Sequence, residues 1–266
     1  MRFSSIGAGN MASAIIKSAV ASKRAESCNI TVYDINKEKY LSFQKIGVNC
    51  VDMLEQACFA SDIILLAVKP QDYESVLLQI KPFVSGKNKI FITIAAAIST
   101  QFICKMLGED FPVVRVMPNT PLLIGYGATA ISRNKFVDDK LYTKICGLFA
   151  SSGHVVSLDE SMMNTVISVN SSSPAYIYLL AKAMISGAVL QGIDASLAKD
   201  LVYKTIKGSA EMLLTSEMSA DELIKMVASP KGTTEAALNS FEQAGFCKIV
   251  ADAMNACTDR ANELAR

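Results

Sequence analysis

The stretch Phe3-Ser4-Ser5-Ile6-Gly7-Ala8-Gly9-Asn10-Met11-Ala12 decides the fold. A short apolar run enters a Gly-x-Gly turn, and an amphipathic segment over 11–21 follows at once. Gly7 permits the tight turn, Gly9 lets backbone approach a pyrophosphate, and Ala12 keeps the helix close to the strand. The helix start adds unsatisfied N–H groups and the positive end of a dipole. We therefore read a strand, a phosphate-binding turn and a helix, with Gly7, Gly9, Asn10 and Met11 as candidate dinucleotide contacts. The same string also makes an ordinary strand-to-helix turn. Its place after an N-terminal strand, inside a βαβ unit, favours binding.

Outward from this turn, β-branched runs alternate with amphipathic ones, which predicts βαβ units and a mostly parallel sheet. Strands are expected at 2–6, 30–34, 63–68, 90–94, 113–117, 128–131 and 154–157, and helices at 11–21, 37–46, 53–60, 71–81, 100–107 and 138–150. After Leu158 the apolar residues change to spacings of three and four, the helical period. A helix over 175–191 should stop at Gly192, and Asp194 should cap the next, to about 214. Ser219-Ala220-Asp221-Glu222 fits a capping box. Ser229-Pro230-Lys231-Gly232 breaks the chain before a helix from Thr233 or Thr234, and 246–264 makes the last one. Two parts result: 1–158, an α/β dinucleotide-binding domain, and 159–266, all-helical.

Composition excludes several classes of function. Of 266 residues 51% are hydrophobic, enough for a sizeable core. The 26 Lys and Arg nearly balance the 25 Asp and Glu, for a net charge of +1 without a basic tract, so nucleic acid is not expected as a partner. His154 is the single histidine. That argues against a histidine-ligated metal or a Ser-His-Asp triad, and we expect no metal and no chemistry from His154. The seven cysteines form no C-x-x-C pair, as suits a reducing compartment. The N-terminus runs straight into the glycine turn, so a leaderless cytoplasmic protein is expected. The apolar runs 63–68 and 90–98 fall short of the ~20 residues that cross a bilayer, and no membrane association is expected.

Other candidate residues lie where strands end or helices begin. Asp34 ends the second strand, 25 residues after Gly9, close to the spacing of an acid that binds a ribose 2′-hydroxyl. Such a carboxylate leans the chain toward NADH. Asn36, Lys37 and Lys39 are suited to a phosphate, however, and Asp34 alternatively serves as a solvated turn residue. Ala67-Val68-Lys69-Pro70-Gln71 and Met117-Pro118-Asn119-Thr120-Pro121 both follow strands, at the sheet edge where ligands bind. In Ser229-Pro230-Lys231-Gly232-Thr233-Thr234, a serine hydroxyl and the N–H groups of Gly232, Thr233 and Thr234 suit a small anion such as a carboxylate, although a simple N-cap reads the same way. Asn170-Ser171-Ser172-Ser173-Pro174 precedes another helix.

Taken in order, Gly7-Ala8-Gly9-Asn10-Met11, Ala67-Val68-Lys69-Pro70-Gln71, Met117-Pro118-Asn119-Thr120-Pro121, Ser172-Ser173-Pro174-Ala175-Tyr176 and Ser229-Pro230-Lys231-Gly232-Thr233-Thr234 resemble the motifs of the pyrroline-5-carboxylate reductase family. The resemblance implies a Rossmann-type domain for NADPH or NADH and an all-α C-terminal dimerisation domain. It also implies a homodimer, often within a larger ring such as a decamer. The implied reaction passes hydride from the nicotinamide to the imine carbon of 1-pyrroline-5-carboxylate and yields L-proline. Position by position, Ser229 with the Gly232-Thr233-Thr234 backbone would bind the substrate carboxylate, with Ser172 a further substrate residue, and Thr234 Oγ would hydrogen-bond the imine nitrogen. Ala67, Val68, Lys69, Pro70, Ala95 to Ala97 and Asn119 would line the cofactor. The family usually carries glycine at the positions of Ala97, Ser171, Ser173 and Lys231. The other readings are a different imine or β-hydroxyacid dehydrogenase, with Lys182 as its acid, and a cofactor-binding regulatory paralogue.

Overall fold

A computed structural model describes residues 1–265. The described residues form an eight-stranded sheet of order β3-β2-β1-β4-β5-β6-β7-β8. The strands are β1 (Phe3–Ile6), β2 (Ile30–Tyr33), β3 (Asn49–Cys50), β4 (Ile63–Leu66), β5 (Ile90–Thr93), β6 (Val113–Met117), β7 (Gly127–Arg133) and β8 (Gly153–Ser157). All neighbours run parallel except β6 and β7, which pair antiparallel from Val114↔Arg133 to Met117↔Ala130. Helices α1 (Asn10–Ala21), α2 (Tyr40–Gln44), α3 (Leu54–Ala60), α4 (Tyr73–Val84), α5 (Thr100–Leu107) and α6 (Asp139–Ala150) connect them. Strands β1 and β4 are neighbours, with β2 and β3 beyond one side and β5 and β6 beyond the other. The strand order therefore reverses at β1, which opens a crevice outside the carboxyl ends of the strands.

Both faces of the sheet are covered, so its strands read as continuous apolar runs. One face buries Ile15, Ile16, Ile145 and Phe149 from α1 and α6 against Phe3, Leu65 and Val114. The other buries Tyr73, Leu77, Ile80 and Ile103 against Ile64, Leu66 and Phe91.

The remaining helices are α7 (Ser173–Leu190), α8 (Ala195–Thr215), α9 (Ala220–Val227), α10 (Thr233–Gln243) and α11 (Phe246–Glu263). By packing, the chain forms two units: residues 1–174 with the end of α11 from Cys257, and Ala175–Ala256. That division falls sixteen residues beyond the change of period at 158. The segment from Asp159 to Ser172 is short turns, and its Met163 and Ile167 share a buried cluster with Met117 and Ala130 of the sheet. In the second unit the Asp194 carboxylate caps α8 through Ser196 and Leu197 N–H, and Ser219 with Glu222 closes a capping box on α9.

Several expectations are corrected. The 37–46 segment is not one helix. The Asn36 side chain accepts from Glu38 N–H and starts a 3₁₀ turn, Lys37–Lys39, and α2 follows it. The two-residue β3 is too short to leave a periodic signal. Residues Ile167–Ser171 form a π-helical turn closed by Ser172 N–H to Ile167 O at 2.9 Å.

The apolar-run argument about length also fails for Ile167–Leu190, a helical stretch of 24 residues that contains an 18-residue window of mean hydropathy 1.3, of which 6% is buried within the chain. By length and composition it is able to cross a bilayer. Polar residues at Ser168, Asn170–Ser173 and Lys182 break the run in the sequence and hide it. Leu179 on α7, Leu190 at its end and Leu214 on α8 are exposed, Leu190 to 89%.

Candidate active site

The glycine turn is held from below and open from above. Gly7 has φ +104°, and its N–H donates to Tyr33 O at 2.8 Å. A Cβ there would collide with Ala67 O and lie 2.6 Å from Ala67 C and 3.0 Å from Val68 N. Gly7 is thus what lets β1 and the end of β4 meet. Gly9 differs. A Cβ on it would meet nothing within 4 Å, and as N-cap of α1 it has no side-chain cap. The first N–H groups of α1 therefore face open space above Gly9, a fitting seat for a pyrophosphate. Asn10 is exposed and Met11 half-buried beside it.

Across the reversal point, Ala67 and Val68 leave β4 half-buried, and Lys69 is exposed at the turn Pro70–Asp72. The turn after β5 places Ala95 and Ala97 inside the structure, and Ala97 adopts φ +64°. A side chain in this left-handed region carries strain of ~1–2 kcal/mol. One buried thread braces both strand ends from beneath. The Tyr73 hydroxyl donates to Leu66 O at 2.8 Å and lies 2.8 Å from Thr93 Oγ1, which accepts from Ala95 N–H at 3.4 Å. Burial pushes the Tyr73 phenol well above its usual range, so it stays a neutral donor. Sequence reasoning missed Tyr73, since a tyrosine opening an amphipathic helix reads as core.

Asp34, expected to face a ribose, is engaged within the chain. It is buried at 7% exposure, and its carboxylate accepts from Ala8 N–H at 2.7 Å, Asn36 N–H at 2.8 Å and Lys39 Nζ at 2.8 and 3.0 Å. All four strong acceptor directions are taken. Burial raises the carboxyl, but the Lys39 bond and the Asn36 and Ala8 N–H groups outweigh it and hold it below its ordinary value. Asp34 therefore locks the glycine turn to the end of β2 and places Lys39 there.

Asn119, expected to line the cofactor, is likewise engaged within the chain. It is buried, its Oδ1 accepts from Ala128 N–H at 2.9 Å, and its Nδ2 donates to Asn170 O at 3.1 Å. Its amide holds the loop after β6 rather than facing open space. Ser171 and Ser173 add hydroxyls to the same cluster: Ser171 Oγ lies 3.1 Å from Pro118 O, and Ser173 Oγ donates to Asn170 O at 3.3 Å. Ser172 accepts from Cys257 Sγ at 3.3 Å within the first unit.

The other expected residues lie wholly in the second unit. Ser229 and Thr233 are exposed, and Gly232 and Thr234 half-buried, at the start of α10. Gly232 N–H is not free, as it donates to Ser229 O at 2.9 Å in a tight turn. Lys231 N–H donates to Glu235 at 2.7 Å. With Gly232 as N-cap and no side chain capping it, the N–H groups of Thr233 and Thr234 remain for an anion. A Cβ at position 232 would strike Ser229 Oγ, so the glycine is what lets that hydroxyl fold over the helix start. Lys231 has φ +60°. Ala97 and Lys231 are two of the positions where glycine was expected, and both adopt backbone that suits glycine. His154 is exposed on β8.

Comparisons with known proteins agree with this geometry. Residues 160–264 match the family described as pyrroline-5-carboxylate reductase dimerisation, and residues 2–97 match NADP oxidoreductase coenzyme F420-dependent. The chain is 32% identical over 262 residues to the pyrroline-5-carboxylate reductase of Escherichia coli K12, covering 98% of this chain and 97% of that protein. Its structure is similar to that of the Coxiella burnetii pyrroline-5-carboxylate reductase, with TM-score 0.91 and 31% identity, covering 100% and 98% of the two chains. A Plasmodium falciparum pyrroline carboxylate reductase solved with NADP bound gives TM-score 0.91 at 30% identity, covering 100% and 98%. A Rossmann-type unit with an open glycine turn, a helical unit whose α10 starts without a side-chain cap, and likeness along nearly the whole chain place this protein in the pyrroline-5-carboxylate reductase family.

Proposed function

We propose that the protein reduces 1-pyrroline-5-carboxylate to L-proline with a nicotinamide dinucleotide, the last step of proline biosynthesis. The observation that carries this reading is likeness to reductases of that name over 98% of the chain, at 32% identity. The nicotinamide, when bound, supplies the hydride. The chain's own work is positioning, which can account for much of such a barrier. The N–H groups of Asn10, Met11 and Ala12 hold the pyrophosphate over Gly9. Ala67 to Pro70 and Ala95 to Ala97 shape the nicotinamide side, braced by Tyr73. Ser229 Oγ with Thr233 and Thr234 N–H holds the substrate carboxylate, and Thr234 Oγ hydrogen-bonds the ring nitrogen that ends protonated.

On cofactor choice, Asp34 spends its acceptor capacity inside the chain and so does not exclude NADPH. Lys39, which offsets the Asp34 charge, and Asn36 are the groups suited to a 2′-phosphate. We infer that both dinucleotides are used, with Lys39 favouring NADPH. The exposed apolar helices α7 and α8 meet their counterparts in a homodimer, on which a larger ring can be built. The seven unbridged cysteines suit the cytoplasm.

The test is steady-state turnover of pyrroline-5-carboxylate with each cofactor, in wild type and Thr234→Ala. The variant should lose ~10–100-fold in kcat/KM through one hydrogen bond to the reacting imine. Wild-type rates in the variant would remove Thr234 from the mechanism. Cofactor binding without turnover in the wild type would replace the reductase by a regulatory binding protein.

A further inference from the structure

We propose that Asn170 is a positioning residue that, together with Asn119, fixes the loop Met117–Pro121 beside the nicotinamide side of the cofactor site. The inference rests on the reading of that edge given above. The two side chains are buried to 9% and 7% exposure, and they cross-link the loop after β6, the start of β7 and the turn before α7. The β6–β7 ladder has its last pair at Met117↔Ala130, beyond which the strands diverge around the loop. Asn170 Nδ2 spans that divergence, donating to Met117 O at 2.7 Å and to Ala128 O at 2.9 Å. Asn119 reciprocates from the loop, accepting from Ala128 N–H at 2.9 Å and donating to Asn170 O at 3.1 Å. The Ser171 hydroxyl lies 3.0 Å from Asn170 Oδ1 and 3.1 Å from Pro118 O, so its single proton serves one or the other.

This staple is specific in chemistry. Asn170 Nδ2 has two hydrogens and both reach carbonyls, so a carboxylate of the same shape would set oxygen against oxygen, and a hydroxyl would reach only one partner. It is also well placed. Met117 belongs to the buried cluster on which Ala96 packs, in the turn whose Ala97 is held at φ +64°, and the turn Thr120–Ile124 packs on α1. The stapled loop thus lies between the wall assigned to the nicotinamide and the helix assigned to the pyrophosphate. The π-helical turn Ile167–Ser171 carries Asn170, and π turns recur at functional sites.

The experiment compares wild type, Asn170→Ser and Asn170→Asp in three readouts: kcat with pyrroline-5-carboxylate, affinity for NADPH from its fluorescence, and affinity for 2′-phospho-ADP-ribose, which lacks the nicotinamide. Positioning predicts that Asn170→Ser lowers kcat by ~10–100-fold and weakens NADPH by ~10-fold, with affinity for the nicotinamide-free probe within about twofold of wild type. Asn170→Asp should do the same more severely, and if it fails to fold the serine variant decides. Loss of the probe in step with NADPH, or loss of thermal stability with kcat and NADPH affinity unchanged, would overturn the proposal. Both binding readouts are independent of turnover. A wild type that reduces nothing would sink the reductase reading and leave the role of Asn170 to be decided by the affinities.

Discussion

Replacing Gly7 and Gly9 in turn by alanine should separate folding from binding, because the two glycines differ in what surrounds them. At Gly7 the added methyl meets φ +104° and the Ala67–Val68 peptide, with Ala67 C at 2.6 Å and Val68 N at 3.0 Å, all rigid backbone. The left-handed conformation costs about 1–2 kcal/mol and overpacking about 1–3, so Gly7→Ala should lose about 2–5 kcal/mol. For a chain of this size that is a fall in Tm of roughly 4–20 °C. At Gly9 the backbone is ordinary and no atom lies within 4 Å, so the methyl strains nothing. Gly9→Ala should keep Tm within about 4 °C of wild type, since capping preference between these residues is worth at most about 1 kcal/mol. The methyl would stand where a phosphate must approach. Losing one charge-assisted bond of about 1.5–3 kcal/mol weakens the cofactor by roughly 10–150-fold. Differential scanning fluorimetry without ligand and NADPH fluorescence titration give the two numbers. Gly9→Ala with wild-type affinity for both dinucleotides would refute the assignment of that open space to the pyrophosphate.

Three further outcomes follow from single contacts. Lys39→Ala should raise KM for NADPH at least fivefold more than KM for NADH, and an equal change in both would show that Lys39 reads no phosphate. Lys231→Gly should stabilise by about 0.5–1 kcal/mol in urea unfolding, the left-handed strain of an exposed lysine less the extra chain entropy of glycine, and a loss of stability would contradict the strain. Asp34→Asn tests the depressed carboxyl. A folded-state pKa below the unfolded one contributes stability above about pH 4, and it fades as pH falls through the folded value. The gap in Tm between wild type and variant should therefore be widest at neutral pH and close in acid, and a constant gap would show that ionisation contributes nothing.

The sequence was most legible where structure is set locally. Helix α5 and strand β6 have the expected ends, because Ser99 caps Phe102 N–H and Gly108 ends the helix at φ +79°, while β6 is a short β-branched run. The capping box at Ser219 and the cap at Asp194 are likewise local chemistry. What escaped is chemistry between distant residues. Asp34 stood at the right spacing for a ribose contact, yet its oxygens go to Ala8, 26 residues back, and to Lys39. Asn170 reads as one polar residue among serines, and its partners lie at Met117 and Ala128. No periodicity encodes such choices. The substituted glycine positions were more informative, since Ala97 and Lys231 both stand at positive φ. There the chain keeps the family's backbone and adds a side chain.

The most direct test follows the transferred hydrogen itself. Turnover of pyrroline-5-carboxylate with NADPH or NADH carrying deuterium at the reactive nicotinamide carbon, followed by mass spectrometry and NMR of the product, should give L-proline bearing that deuterium on the former imine carbon. Unlabelled proline, label at another carbon, or no proline from an enzyme that binds the cofactor would contradict the account.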